Sequence, residues 1–461
     1  MSRFLLAVLF LLSACVCLPA LPAASPAPAF NVITHPDGPL YASDKISFEV
    51  LPPAGLDPSG KTIQISQAEQ ILDEQPIQPW GLGKRNQATF YWVWDTAGLA
   101  PGPHTLTFTL LPDHQSWQET YSLLPAAALP YPEPQAHWAE TPTSCCILHY
   151  VTGTAAERDI TTLADMANSQ AASVEQNFGA KFQQQIPLTF LPRTLGHGGF
   201  TSDGLYVSYL DQNYAGSTTA QVIHHEMIHW LDAQQGGDLR PTLLAEGLAV
   251  YLSGGHFKEE PIFPRAAALL DLGWYIPLRQ LTNTFYTSQH ETGYLEAAAL
   301  VGYLIQTHGW QQFDAFYRDI HPAPDNLPST ALDTALQAHF SLDLAALETD
   351  FLTFLRAQPV TADQRTDLRL TIAFYDTLRR YQQAHDPSAY FLTAWLPPGS
   401  HIRQKGLLAD WLRHPRNPIN QQVEALLVAS DARLRAGNYS QAENLLRAVR
   451  LLLDLESRPA Q

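Results

Sequence analysis

Apolar and polar positions change their period along this chain, and the change divides it. Between residues 30 and 125 they alternate over short runs such as Lys45 to Val50, Thr89 to Trp94 and His104 to Leu110, separated by Pro-Gly and Asp-Pro steps. A period of two marks strands that bury one face. From Trp94 to His104 the chain ends one strand, turns through Pro101-Gly102-Pro103 and begins the next. The pattern predicts a two-layer β-sandwich over 30–125, with Phe90, Tyr91, Trp92 and Trp94 assigned to its core rather than to a ligand face.

Residues 126–143 are dense in proline and alanine and read as a semi-rigid linker. Beyond it strands are expected at Cys145 to Val151, Ile186 to Leu191 and Leu205 to Leu210. A helix starts near Thr154, carries Glu157 and Asp159 in its first turn and stops before Gly179, and a glycine-rich turn runs from Gly196 to Phe200. Helical spacing then dominates, over Gln221 to Ala233, Leu243 to Leu252, Tyr294 to Thr307, Leu344 to Arg356, Leu368 to Gln383 and Gln421 to Leu455, the last broken at Gly437-Asn438. We divide this part into an α+β domain at 144–356 and a helical region at 357–461. The stretch Ala432 to Ala442 resembles half of a tetratricopeptide hairpin, but a single copy makes no solenoid and implies ordinary helical packing on the preceding domain.

Composition and termini add three points. A net charge of −17 without clustered Lys and Arg excludes a nucleic-acid partner. Arg3, the apolar run Phe4 to Leu12 and the following Pro/Ala/Ser stretch read as an export signal over 1–24; the run ends at Pro19, short of the about 20 apolar residues of a spanning helix. Leu12-Ser13-Ala14-Cys15 resembles a bacterial lipoprotein box with Cys15 as the lipidated residue, and cleavage near Ala23-Ala24 with free secretion is the alternative. Either way the protein is expected to work outside the cytoplasm. Cys145 and Cys146 are adjacent, which argues against a disulfide, and are read as buried thiols.

The chemistry centres on His225-Glu226-Met227-Ile228-His229. Residues four apart on a helix lie about 40° apart around its axis and one turn along it, so both imidazoles reach one metal ion. Ile223, Met227, Trp230 and Leu231 give the same helix a separate apolar face. A catalytic zinc ion needs three protein ligands and an open position. Glu246 is the candidate third ligand: it stands in Leu243 to Leu252, where nearly every neighbour is apolar and a carboxylate is costly unless a cation meets it. Its ordinary alternative is a salt bridge to Arg240 or Arg265. Glu226, beside a ligand but not one itself, is the candidate general base. His224, His197 and His256 are assigned surface or packing roles, and His149 is left without one.

His225 to His229 followed by Ala245-Glu246-Gly247-Leu248-Ala249-Val250-Tyr251 resembles the gluzincin zinc peptidases, the peptidase MA-like group most of all. His149-Tyr150, Glu157 to Asp159, Gly196 to Thr201 and Gly293 to Gly309 fit the same pattern, which covers residues 145–320. The resemblance implies a thermolysin-like α+β domain holding one Zn²⁺, a peptide or protein substrate, and Tyr294 as oxyanion donor, with Tyr303 and Tyr286 as further candidates. Gln235 stands where metzincins place a third histidine, and the methionine-containing motif of gluzincin aminopeptidases is absent, so an endopeptidase is favoured. The sandwich compares with an immunoglobulin-like module. A surface-binding or adhesion protein with a non-catalytic zinc domain, and a zinc hydrolase of non-peptide amides, are the rival readings.

Overall fold

The computed structural model describes residues 30–81, 84–196, 198–393 and 398–456; residues 1–29, which include the stretch read as an export signal and Cys15, and His197 lie outside the described residues. The alternating N-terminal segment forms nine strands: β1 (Asn31–His35), β2 (Leu40–Tyr41), β3 (Lys45–Leu51), β4 (Thr62–Gln67), β5 (Gln70–Pro76), β6 (Gln78–Trp80), β7 (Arg85–Asp95), β8 (Gly102–Leu111) and β9 (Gln115–Leu124). They make two sheets, ordered β1-β3-β7-β6 and β2-β9-β8-β4-β5. Period two does what it should on β8, where Leu106, Phe108 and Leu110 point inward and their neighbours outward. They meet Phe48, Phe90 and Trp94 of the other sheet in one shared core. Trp92 faces the other way and packs with Phe391 and Trp411 of the C-terminal region.

A second sheet system follows, with β10 (Trp138–Pro142), β11 (Cys146–Val151), β12 (Ile186–Leu191), β13 (Gly199–Thr201) and β14 (Leu205–Ser208) in the order β10-β11-β12-β14-β13. The central three run parallel and both edge strands antiparallel. Three readings change here. The end of the proline-rich segment is a strand, because its backbone pairs antiparallel with β11, Trp138 opposite Val151, and its proline is tolerated at a sheet edge; the indole of Trp138 donates to the Gly406 carbonyl at 3.0 Å. The strand expected at Leu205 to Leu210 stops at Ser208 and is paired on both sides, so the edge strand is β13. Cys145 and Cys146 are joined by a disulfide. Cys145 precedes β11 in a turn where Thr143 N donates to the Cys146 carbonyl and Asn168 Oδ1 accepts from Cys145 N, so the extended backbone that sends successive side chains to opposite faces is absent there.

Helices α1 (Ala155–Arg158) and α2 (Ile160–Phe178) connect β11 to β12, and Gly179 ends α2 in the left-handed conformation. After β14 the chain is helical: α3 (Thr219–Gln234), α4 (Thr242–Leu252), α5 (Ile262–Asp271), α6 (Leu278–Thr284), α7 (His290–His308), α8 (Trp310–Arg318), α9 (Pro328–Phe340), α10 (Leu344–Arg356) and α11 (Ala362–His385). The short α12 (Pro387–Leu392), α13 (Gly399–Gln404) and α14 (Ala409–Leu412) lead to α15 (Pro418–Arg435) and α16 (Tyr439–Glu456), which pair with each other and with α11. The last two pack through Leu427 and Val449 onto Phe374 and also onto Phe257 of the preceding domain, as the lone hairpin implies. Among the described residues no helix is long and apolar enough to cross a membrane.

The α2, α3, α4 and α7 helices share one large core with the second sheet. Within it α4 lies against α7 so closely that a Cβ on Gly247 would sit 2.5 Å from the Ala297 carbonyl oxygen. Helix propensity alone favours alanine over glycine by about 1 kcal/mol. Gly247→Ala is nevertheless expected to lower stability by about 1–3 kcal/mol, because backbone must move to admit the methyl group. The denaturant midpoint checks this, and a midpoint equal to or above the parent's would mean that the two helices do not touch there.

Candidate metal centre and its cleft

Helix α3 is set by its caps and its apolar stripe. Thr218 accepts the Gln221 backbone N–H at the N-terminus, and Ile223, Met227 and Leu231 are fully buried. That rotation leaves His225 and His229 on the opposite side, facing a cavity of about 960 Å³. Trp230, grouped with the core from the sequence, is partly buried and lines the cavity too. Helix α4, fixed by Leu244, Leu248 and the close contact at Gly247, aims the buried Glu246 at the same point.

The three side chains converge through one atom each. Glu246 Oε2 lies 3.1 Å from His229 Nε2 and 3.3 Å from His225 Nε2, and the two nitrogens are 3.1 Å apart. Four donors held tetrahedrally at about 2.0–2.1 Å from zinc are spaced by about 3.4 Å, so this triangle is close to one face of such a site. The salt-bridge alternative fails: Arg240 pairs with Asp232, and Arg265 with Glu260 and Asp367. Neither reaches Glu246.

Protonation fits a cation as well. Burial pulls His225 down to about 4, keeping it neutral. Burial opposes ionisation of Glu246, but the two histidines outweigh it and hold the carboxyl well below its ordinary value. Burial likewise works against charge on His229, and Glu246 overcomes it, raising His229 to about 9. The chain without metal thus keeps one proton among these donors, and a divalent ion bound there would displace it. The donor set can hold a metal ion.

The remaining parts of the cleft build outward from the triad. The other oxygen of Glu246, Oε1, accepts from Tyr286 Oη at 2.7 Å, which orients the carboxylate. Glu226, also buried, takes a hydrogen bond from Thr201 Oγ1 at 2.7 Å on Oε2. Thr201 ends the edge strand β13, and Gly199 lets that strand close on α3: a Cβ there would meet Val222 Cγ1 at 2.6 Å. Burial pushes Glu226 up to about 7, against the lowering effects of His229 and Thr201. Tyr294 lines the same cavity, its ring 6.3 Å from that of His225 and stacked at 4.3 Å on His256.

His256 takes the packing role of the two assigned to it. It is buried, and its Nδ1 lies 2.7 Å from Glu291 Oε2, which joins it to Arg265 and Asp367. The sequence carried a signal for this pair that went unread: Glu291 stands in an apolar helix, like Glu246. Other residues stay away from the cavity. Tyr303 packs on Phe351 and Phe354, His224 bonds Gln170, and His149 sits beside Glu140.

No protein-family model and no curated protein matches this chain. The donor geometry therefore stands on its own, and it is tested by removing one corner. Glu246→Ala is expected to lower retention of divalent metal by about tenfold or more after dialysis, read by elemental analysis of the refolding-competent protein. Metal content equal to the parent's would show that Glu246 is not a ligand.

Proposed function

We propose that the protein is an exported zinc-dependent peptidase of the gluzincin type, an endopeptidase with a thermolysin-like catalytic domain and an immunoglobulin-like N-terminal sandwich. The observation that carries this reading is the meeting of His225, His229 and Glu246 within 3.3 Å, with the Glu226 carboxylate on the next residue of the same helix and in the same cavity. Two imidazoles and one carboxylate suit zinc, and three ligands rather than four leave a corner for substrate or water. The chemistry a bound zinc ion supplies is the acidification of water and the polarisation of a carbonyl.

The residues do the rest. Glu226 accepts a proton from water as its oxygen forms a bond to the scissile carbonyl carbon, and passes that proton to the amine nitrogen as the C–N bond breaks. Burial raises this carboxyl, which favours holding a proton between the two transfers, and the Thr201 hydrogen bond orients it in the cavity. Tyr294 is the hydrogen-bond donor to the oxyanion that develops on the carbonyl oxygen. Tyr286 is committed to Glu246 and keeps a positioning role. An extended peptide has a docking strand in β13, terminal in its sheet and lining the cavity through Gly199, Phe200 and Thr201.

Glu226→Gln is expected to keep its metal and to lose hydrolysis by about 100- to 10,000-fold on a proteome-derived peptide mixture, with cleavage by the parent abolished by a chelator. Tyr294→Phe is expected to lower kcat by about 100- to 1,000-fold with little change in KM. Parental activity of Glu226→Gln, or cleavage that survives verified metal removal, would overturn the assignment.

A further inference from the structure

Among the described residues most of the buried or partly buried arginines meet a carboxylate, and one in the cleft does not. Arg193 pairs with Asp386, Arg318 with Asp232, Arg413 with Asp44 and Glu133, and Arg240, another arginine lining the cavity, with Asp232. Arg379 on α11 is partly buried and lines the same cavity, yet among the described residues no carboxylate lies within ion-pair reach of it. Among the described residues its side-chain hydrogen bond goes from Nη2 to His290 Nδ1 at 3.2 Å. That contact uses one of five N–H donors in a fork shaped for a carboxylate.

The other groups acting on the guanidinium are Tyr294 of α7, Tyr390 of α12 and Tyr375 of its own helix, with the Asp376 carboxylate acting on it least of these and forming no ion pair with it. Asp376, one turn earlier, is exposed and accepts from Gln289 instead. Burial draws Arg379 below the ordinary arginine value, as befits a cation without an anion. It is also close to the chemistry, since the His290 ring it bonds is 4.8 Å from Tyr294, the proposed oxyanion donor. A cation held partly away from water and unpaired is destabilised unless something supplies the missing charge.

We propose that Arg379 anchors a carboxylate of the substrate, so that the cleft selects peptides bearing an acidic side chain or a free C-terminal carboxylate near the scissile bond. The proposal rests on the peptidase reading and names its substrate class. The carboxylate sits on the guanidinium fork, with the Tyr294, Tyr375 and Tyr390 rings excluding water around it.

The test uses the zinc-loaded full chain carrying Glu226→Gln, which binds without turnover. Its ligands are matched pools of one randomised peptide lacking other acids, with a central Glu or Gln and a free or amidated C-terminus. A carboxylate-bearing pool is expected to bind about tenfold tighter than the doubly neutral one. Preference that follows the central Glu assigns the side chain, and preference that follows the free terminus assigns the terminal carboxylate. Adding Arg379→Gln should reduce it to about twofold or less, and Arg379→Lys, which keeps the charge and most of the packing, should retain an intermediate preference. Equal binding of all pools, no binding of any, or a preference unchanged in both Arg379 variants would overturn the proposal. A preference that holds and depends on Arg379, while the parent protein hydrolyses none of the pools, would remove the peptidase reading and leave the carboxylate site standing.

Discussion

A carboxylate placed in an apolar helix must find positive charge, and the answer found by Glu246 organises the centre of this molecule. Burial alone would neutralise it; the two imidazoles across the gap keep it ionised. For that to happen α3 and α4 must hold three side chains to within a few tenths of an ångström, and the supports are visible. Gly247 lets α4 sink against α7, Gly199 lets the edge strand close on α3, and Tyr286 ties down the carboxylate oxygen that faces away from the histidines. The geometry of the site is a product of close backbone packing as much as of the donors themselves.

The parts legible in the sequence were those fixed by local pattern. Strand Ile186–Leu191 and helix Leu344–Arg356 fall where periodicity puts them, and the Gly437-Asn438 break separates the last two helices. The pairing of His225 and His229 followed from helical spacing, and Glu246 from the cost of a lone carboxylate among leucines and alanines. What stayed hidden depends on tertiary neighbours. Trp138 becomes a strand residue because its backbone pairs with β11, and its indole donates to the carbonyl of Gly406, far along the chain. The bond between Cys145 and Cys146 needs a turn that Asn168 of α2 helps to hold. His256 does lie in the loop between α4 and α5, but its buried partners stayed hidden because Glu291, Arg265 and Asp367 come from three different elements.

The sandwich is joined to the rest rather than tethered to it. His35 is fully buried, stacks on Phe391 at 4.1 Å and bonds Ser388, while Trp92 donates to Asp410 at 3.2 Å and Arg413 bridges Asp44 and Glu133. A small second cavity is lined jointly by Trp80 and Arg85 of the sandwich and by Arg379 and Tyr390 of the cleft. The N-terminal layer therefore walls a small cavity that shares Arg379, Tyr390 and Thr393 with the cleft, and its orientation is set by the short helices after α11.

The buried network that begins at His256 has a consequence for how this chain can change. Glu291, Arg265, Glu260, Asp367 and Lys258 alternate in sign across the α5, α7 and α11 helices and the loop before α5. Losing Arg265, which touches Glu260, Glu291 and Asp367, leaves buried carboxylates short of countercharge in a medium that solvates them poorly. Drift at Asp367, in the helical tail, is thereby bound to drift at Arg265 and at the wall of the cleft: the two ends of the network must vary together or remain fixed, and a tail exchanged from a distant homologue would bring its own set of charges into conflict with those already in place.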